Sequence, residues 1–199
     1  KDIDIALFSA GGETSLRWAP VAEASGAIVI DNSSAWRMND ECGLIVPEIN
    51  IDSYRGKRKI IANPNCSTIQ SVIPLFALLK EYHLERINFS SYQAVSGSGY
   101  KGLNDYHSTL AGKEASFYPY NISKLCIPQI DSFLDNGYTK EEMKMVNETK
   151  KILNLPELKI TATCIRVPVE YGHGVSMHIE CKEDIDLTRV TALLKAQEG

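Results

Sequence analysis

The sequence predicts an α/β architecture in two domains, and three observations carry that prediction. Short runs rich in β-branched residues alternate with segments of helical period. Runs before residue 63 are apolar throughout, as strands buried on both faces of a parallel sheet are, whereas later ones are longer and partly alternate, as strands with one wet face do. A chain of 199 residues with 44% hydrophobic and 23% charged content is long enough for one large or two small cores. The boundary is expected near 63–64, giving domains 1–63 and 64–199.

In chain order, six strands are expected at 3–8, 27–31, 59–62, 87–95, 159–169 and 175–181. Helical period appears at 13–25, 66–82, 122–135 and 139–153. Segment 66–82 sets Ile69, Val72, Ile73, Phe76 and Leu79 on one stripe, with a kink expected at Pro74, which lacks a backbone donor. Segment 139–153 opens with Thr139 and Glu142 in capping-box spacing, and Met143, Val146 and Leu153 fall roughly on one face. Strands 159–169 and 175–181, joined through Glu170–Gly174, read as antiparallel neighbours. No internal repeat or low-complexity tract is found.

Charge and composition exclude several classes of function. Net charge is −4 with a pI near 5.6, and no basic patch is available for a phosphate backbone. No apolar run approaches the ~18–20 residues of a bilayer span, and no export signal opens the chain. Five scattered cysteines without C-x-x-C spacing fit neither a complete disulfide framework nor a zinc module. Reduced thiols, a cytoplasmic location, no metal, no nucleic acid and no membrane are the expectations.

The most informative stretch is Asn63-Pro64-Asn65-Cys66-Ser67-Thr68. Here a cysteine follows a strand and a tight turn and opens an amphipathic helix, whose free amides and dipole favour thiolate over thiol. The alternative is a small buried residue, the commonest fate of cysteine. Of the four histidines, His173 lies in a Gly-flanked turn suited to acid/base work, whereas His178 alternates along a strand and His83 ends a helix. Arg166 interrupts an apolar strand and needs an anion there, either a ligand or an internal partner. Arg37 lies in a polar loop after a strand, where ligand sites of open α/β sheets gather. Glu141 and Lys144 stand three apart, a spacing that usually marks a surface ion pair. The turns Ser9-Ala10-Gly11-Gly12 and Ser96-Gly97-Ser98-Gly99 could each bring amides to a phosphate or nicotinamide, although neither is G-x-G-x-x-G.

Eight segments in register resemble the bacterial aspartate-β-semialdehyde dehydrogenase family: FSAGG (8–12), DNSSAWRM (31–38), VPEIN (46–50), NPNCST (63–68), YQAVSGSG (92–99), PQIDSF (128–133), EEMKMVNETKKIL (141–153), and TATCIRVPV with GH (161–173). The resemblance implies the remainder of a Rossmann-like NADP-binding domain followed by an α+β catalytic and dimerisation domain like that of glyceraldehyde-3-phosphate dehydrogenase. It implies NADPH-dependent reductive dephosphorylation of L-aspartyl 4-phosphate to aspartate semialdehyde, in lysine, threonine, methionine and diaminopimelate synthesis. By motif, Cys66 is then the nucleophile, His173 the acid/base, and Gln93 positions the thioacyl group. Arg166 takes the substrate carboxylate and Glu141 its amine, while Arg37, Lys144 and Asn65 meet substrate and phosphate. Ser9, Ala10, Gly11 and Gly97 border the NADP(H). The family implies a homodimer or homotetramer.

The chain is expected to be an internal portion lacking the glycine-rich loop upstream and the C-terminal end, with 103–121 short beside relatives. Competing readings are N-acetyl-γ-glutamyl-phosphate reductase, whose cysteine lies in Pro-Gly-Cys-Tyr rather than Pro-Asn-Cys-Ser, and a non-catalytic redox-sensing paralogue.

Overall fold

The structure, a computed structural model, describes residues 2–55 and 57–199. Its elements are β1 (Ile5–Phe8), α1 (Gly12–Ala24), β2 (Ile28–Asp31), β3 (Gly43–Leu44), α2 (Pro47–Asn50), β4 (Ile60–Ala62), α3 (Cys66–Leu79), β5 (Leu84–Gln93), α4 (Gly99–Leu110), α5 (Lys140–Leu153), β6 (Lys159–Arg166), β7 (Gly174–Cys181) and α6 (Leu187–Ala196). They pack as two compact units. One holds the chain up to His83 with Asn147–Glu157 and Glu183–Gly199; the other holds Leu84–Val146 with Leu158–Lys182. Helix α5 contributes residues to both.

The first unit is built on a parallel sheet of order β1-β2-β4-β3. Parallel strands share one carboxyl edge, so the segments after β1, β2 and β4 gather along it. Val29, Ile60 and Ala62 are fully buried in the core. Burial on both faces, expected from the apolar runs, is not found in β1 or β2, where Ile5 and Leu7 are 56% and 78% exposed and Ile28 and Ile30 are exposed too, whereas β4 has no exposed residue. Helix α3 continues through Pro74 and buries Val72, Leu75 and Leu78. Helix α6 was not evident in the sequence, although Asp186 caps it by accepting from the N–H groups of Thr188 and Arg189.

The second unit has a three-stranded sheet of order β6-β5-β7. Contrary to expectation, β6 and β7 are not neighbours. The ten-residue β5 lies between them, parallel to β6 and antiparallel to β7. Gln93 pairs with Arg166 on one side while Tyr92 pairs with Gly174 on the other. The link from β6 to β7 therefore crosses the end of β5, where Val167 N–H donates to the Gln93 carbonyl and Val95 N–H to that of Val169. The crossing sets Gln93, Arg166 and His173 at one end of one sheet.

One further expectation changes in this unit. Segment 122–135 is not a helix. Pro128 supplies no amide and disfavours the helical region for Ile127, which instead forms an antiparallel bridge with Arg166. Ile127 packs with Val95 and Ile122 in a buried cluster flanked by Leu103, Tyr106 and Tyr118. The glycine-rich 99–110 is helical, and Gly102 is needed there because a Cβ would lie 2.5 Å from the Tyr118 hydroxyl. The capping box at α5 forms as read: Thr139 N–H donates to Glu142 Oε2 at 2.7 Å, and Glu142 N–H to Thr139 Oγ1 at 3.3 Å. No helix among the described residues is long and apolar enough to cross a membrane.

Candidate active site

The candidate side chains fall in two groups, one in each unit. In the first unit, β4 ends at Ala62 and the chain turns through Asn63-Pro64-Asn65 into α3. Asn65 caps α3, its Oδ1 accepting from the N–H groups of Ser67 at 3.0 Å and Thr68 at 3.2 Å. Cys66 is the first helical residue and is exposed, while Asn65, Ser67 and Thr68 around it are buried. An accessible thiol at a capped helix N-terminus is where the dipole and amides favour the anion.

The remaining cysteines lack that setting. Cys42 and Cys164 are buried, and loss of water pushes both thiols up, Cys164 to about 12. Cys126 is exposed in a loop.

Arg37 is buried in the same unit. Its Nε donates to the Asn63 carbonyl at 2.9 Å, Nη2 to the Asn32 carbonyl at 3.1 Å and Nη1 to Glu148 Oε1 at 3.1 Å. Glu148 gave no signal in the sequence beyond its place on α5, because its partners lie 111 and 83 residues away. Ser9, Ala10 and Gly11 are exposed at the carboxyl end of β1, on the sheet edge that also carries Asn32 and Asn63. Gly11 has φ +87° and precedes α1, which no side chain caps.

In the second unit the end of β5 gathers the other candidates. Gln93 is buried, and its Nε2 donates to Ser91 Oγ at 3.2 Å and Glu141 Oε1 at 3.1 Å. Because a carboxylate only accepts, this bond fixes which end of the amide meets Glu141. Glu141 is 5% exposed, so its pair with Lys144 at 3.0 Å is not the surface ion pair that the spacing usually marks. Lys144 also meets Asp131 at 3.3 Å. Burial alone would lower the lysine, but the two carboxylates outweigh it and hold the ammonium above its ordinary range.

Arg166, also buried, donates from Nη1 to the Ala94 carbonyl at 2.7 Å. The Ala94 N–H donates to His173 Nδ1 at 3.0 Å, so in the neutral ring the proton sits on Nε2. Burial, then the Arg166 charge, lowers the His173 imidazole below its ordinary value, with Glu141 opposing. Gly97 closes the group: a Cβ there would lie 2.9 Å from Arg166 Nη1 and 3.0 Å from His173 Nε2. The other histidines stand apart, His178 exposed on β7, His83 against Glu183 and His107 against Glu170. No cluster of three or more metal-ligating side chains occurs among the described residues.

An exposed cysteine that opens a helix at a parallel-sheet edge, and an Arg, a His and a Gln on a separate mixed sheet, are the residue types that thiol-dependent acyl transfer uses. Comparison with known proteins makes this specific. Residues 75–199 match the model for the semialdehyde dehydrogenase dimerisation domain, and residues 1–56 that for the semialdehyde dehydrogenase NAD binding domain. The chain belongs to the semialdehyde dehydrogenase family, and the expected pairing of a nucleotide-binding and an α+β domain is borne out.

It is 48% identical to aspartate-semialdehyde dehydrogenase 2 of Vibrio cholerae, over 99% of this chain and 61% of that protein. Identity to the aspartate-semialdehyde dehydrogenase of Aquifex aeolicus is 47%, over 100% of this chain and 61% of that protein. The crystal structure of aspartate semialdehyde dehydrogenase II from V. cholerae complexed with ASA matches with a TM-score of 0.92 at 47% identity, covering 98% of this chain and 61% of that one. The chain thus spans about three fifths of the length of these relatives.

Proposed function

We propose that the complete protein reduces L-aspartyl 4-phosphate to L-aspartate 4-semialdehyde with NADPH, releasing inorganic phosphate, through a thioester on Cys66. The observation that carries this reading is the exposed Cys66 opening α3 behind its Asn65 cap, in a chain 48% identical to an aspartate-semialdehyde dehydrogenase. The Cys66 thiolate attacks the acyl carbon, the C–O bond to phosphate breaks and phosphate leaves. Bound NADPH supplies the hydride that reduces the thioester. His173 Nε2–H hydrogen-bonds the oxygen as it gains charge, and collapse of that oxyanion expels the Cys66 thiolate and frees the aldehyde, the proton staying on His173.

Recognition of a small zwitterionic acyl phosphate suits the remaining side chains. Arg166 offers a planar fork to the carboxylate, Glu141 takes the amine, and the carbonyl end of Gln93 orients the acyl group. Lys144, kept cationic by its carboxylate neighbours, suits a phosphate, as do Arg37 and Asn65 in the first unit. Three of the five N–H donors of Arg37 are committed within the protein, which leaves two for an anion.

The residues at the end of β1 fit the cofactor. Uncapped α1 amides favour negative charge, and nothing lies within 4 Å of a Cβ built on Gly11, so a ligand can approach the backbone closely. Ser9, Ala10 and Gly11 would hold NADP(H) there; Gly97, whose missing Cβ makes way for Arg166 and His173, would meet the cofactor through its backbone.

We assign residues 1–63 to the nucleotide-binding domain and 64–199 to the catalytic and dimerisation domain, a boundary that falls between the two family matches. The complete protein is taken to be a cytoplasmic homodimer, with a homotetramer as the alternative. Phosphate-dependent NADPH formation from aspartate semialdehyde by the full-length protein tests the activity. No turnover of that aldehyde, with turnover of N-acetylglutamate semialdehyde instead, would overturn it. Turnover of neither would point to a non-catalytic paralogue.

A further inference from the structure

Glu148 has no part in the reaction just described, yet it is 1% exposed and both of its carboxylate oxygens are engaged within the first unit. Oε2 accepts the Asn65 backbone N–H at 2.7 Å, and Oε1 accepts Arg37 Nη1 at 3.1 Å. Arg37 in turn donates from Nε to the Asn63 carbonyl at 2.9 Å. These bonds close a ring around Pro64. The peptide before the proline is held through its oxygen by Arg37, and the peptide after it through its N–H by Glu148. Pro64 itself supplies no donor, so the turn cannot hold itself by a bond from that residue.

Fixing both peptide planes fixes Asn65, and Asn65 caps the helix whose first residue is Cys66. A buried ion pair is a poor device for stability alone, since apolar side chains of similar volume often serve as well or better. An apolar pair could not hold the two peptide groups. Charge matters as well: a lone buried carboxylate bonded next to Cys66 would oppose a thiolate, and a lone guanidinium would favour one. Charged groups bonded to this turn and its loop include Arg37 and Glu148, with Lys151 one turn further along α5 on the carbonyls of Arg37 and Asn39.

We infer that Glu148 is a positioning residue for Cys66: with Arg37 it clamps the Asn63–Asn65 turn and keeps the charge beside the nucleophile balanced. The inference rests on Cys66 being the nucleophile. Its test uses the full-length wild type with Glu148→Gln, Arg37→Met and the double variant. The pH dependence of iodoacetamide alkylation is read on the Cys66 peptide by mass spectrometry, alongside kcat, KM and a thermal melt.

Glu148→Gln leaves Arg37 positive and should lower the alkylation midpoint, whereas Arg37→Met leaves Glu148 negative and should raise it, each by about 0.5–1 pH unit. Glu148→Gln should also lower kcat roughly tenfold while KM stays within about threefold, the pattern of a misplaced nucleophile rather than lost substrate contacts. Midpoints that coincide with wild type, or that move in the same direction, overturn the inference. Should either single variant fail to fold, the other decides: a midpoint shift in the direction given supports the inference and a wild-type midpoint sinks it. In the double variant the opposed shifts should cancel, and kcat is read only in Glu148→Gln because Arg37 is also assigned to phosphate. Full turnover after stoichiometric alkylation of Cys66 would instead remove the nucleophile reading, and the midpoint shifts would remain interpretable.

Discussion

Gly97→Ala is a small change with a calculable consequence. Gly97 does not lie in the left-handed region, so its backbone accepts alanine. The added methyl would sit 2.9 Å from Arg166 Nη1 and 3.0 Å from His173 Cε1 and Nε2, where ordinary contact begins near 3.4 Å. One or both side chains must therefore yield by about 0.4–0.5 Å, from 3.4 − 2.9 and 3.4 − 3.0. Neither yields without cost. Arg166 Nη1 is tied to the Ala94 carbonyl at 2.7 Å and His173 Nδ1 to the Ala94 N–H at 3.0 Å, so movement stretches bonds to a buried residue. Overpacking of this kind costs about 1–3 kcal/mol. With Arg166 and His173 in the roles proposed for them, a displacement of a fraction of an ångström should lower kcat/KM of the full-length protein roughly 10- to 100-fold, or about 1.4–2.7 kcal/mol. Gly12→Ala is the control, since its Cβ would meet only Ala35 Cβ at 4.0 Å. Initial rates and thermal melts of both variants decide the matter. If Gly97→Ala turned over within twofold of wild type, the placement of Arg166 and His173 against Gly97 would not be what the chemistry depends on.

Three further outcomes are expected. Burial and then Arg166 hold the His173 imidazole below its ordinary 6.5, so its ring proton resonance should titrate below that value and move upward in Arg166→Met. The stability contributed by this neutral ring is complete above 6.5 and lost as pH falls through the folded value, and a wild-type midpoint at or above 6.5 would contradict the assignment. Alkylation of the native protein near about pH 8 should reach exposed Cys66 and Cys126 and spare buried Cys42 and Cys164, so rapid native labelling of Cys164 would refute its burial. Asn65→Ala removes the acceptor for two N–H groups and should cost about 1 kcal/mol by denaturant titration. Asn65→Asp, which keeps an acceptor, should cost much less; equal losses would mean the cap contributes nothing.

What could be read in the sequence divides along the distance over which each feature is decided. Strand, turn and helix around Cys66 follow from residues within a few positions of one another, as does the capping box of Thr139 and Glu142, and both formed as read. Segment 122–135 misled because its apolar spacing imitates a helix, while Pro128 and the bridge from Ile127 to Arg166 decide otherwise. Helix α4 at 99–110 was not evident in the sequence, and the want of a side chain at Gly102 answers the close approach of Tyr118. The strand directions of β6 and β7 were legible, but not that β5 would lie between them, since alternation reports which face is wet and says nothing of the neighbour.

Glu148 marks the limit of local reading. On α5 it stands among other charged residues, and nothing nearby distinguishes it from a solvated glutamate. Only the fold brings it to Asn65, 83 positions away, and to Arg37, 111 away. The motif residues that approach a ligand can be recognised from their own neighbourhoods because a turn or a helix start presents them. A residue that holds such a turn in place acts through long-range packing, and its chemistry becomes readable only when both ends of the bond are on the page. Arg37 shows the two kinds of information meeting in one side chain: its loop position after β2 points to an anion, while its bonds to Asn32, Asn63 and Glu148 make it part of the support for Cys66. Loss of Arg37 should therefore disturb Cys66 as well as the phosphate contact proposed for it, which loss of Lys144, bonded instead to Glu141 and Asp131, has no route to do within its own unit.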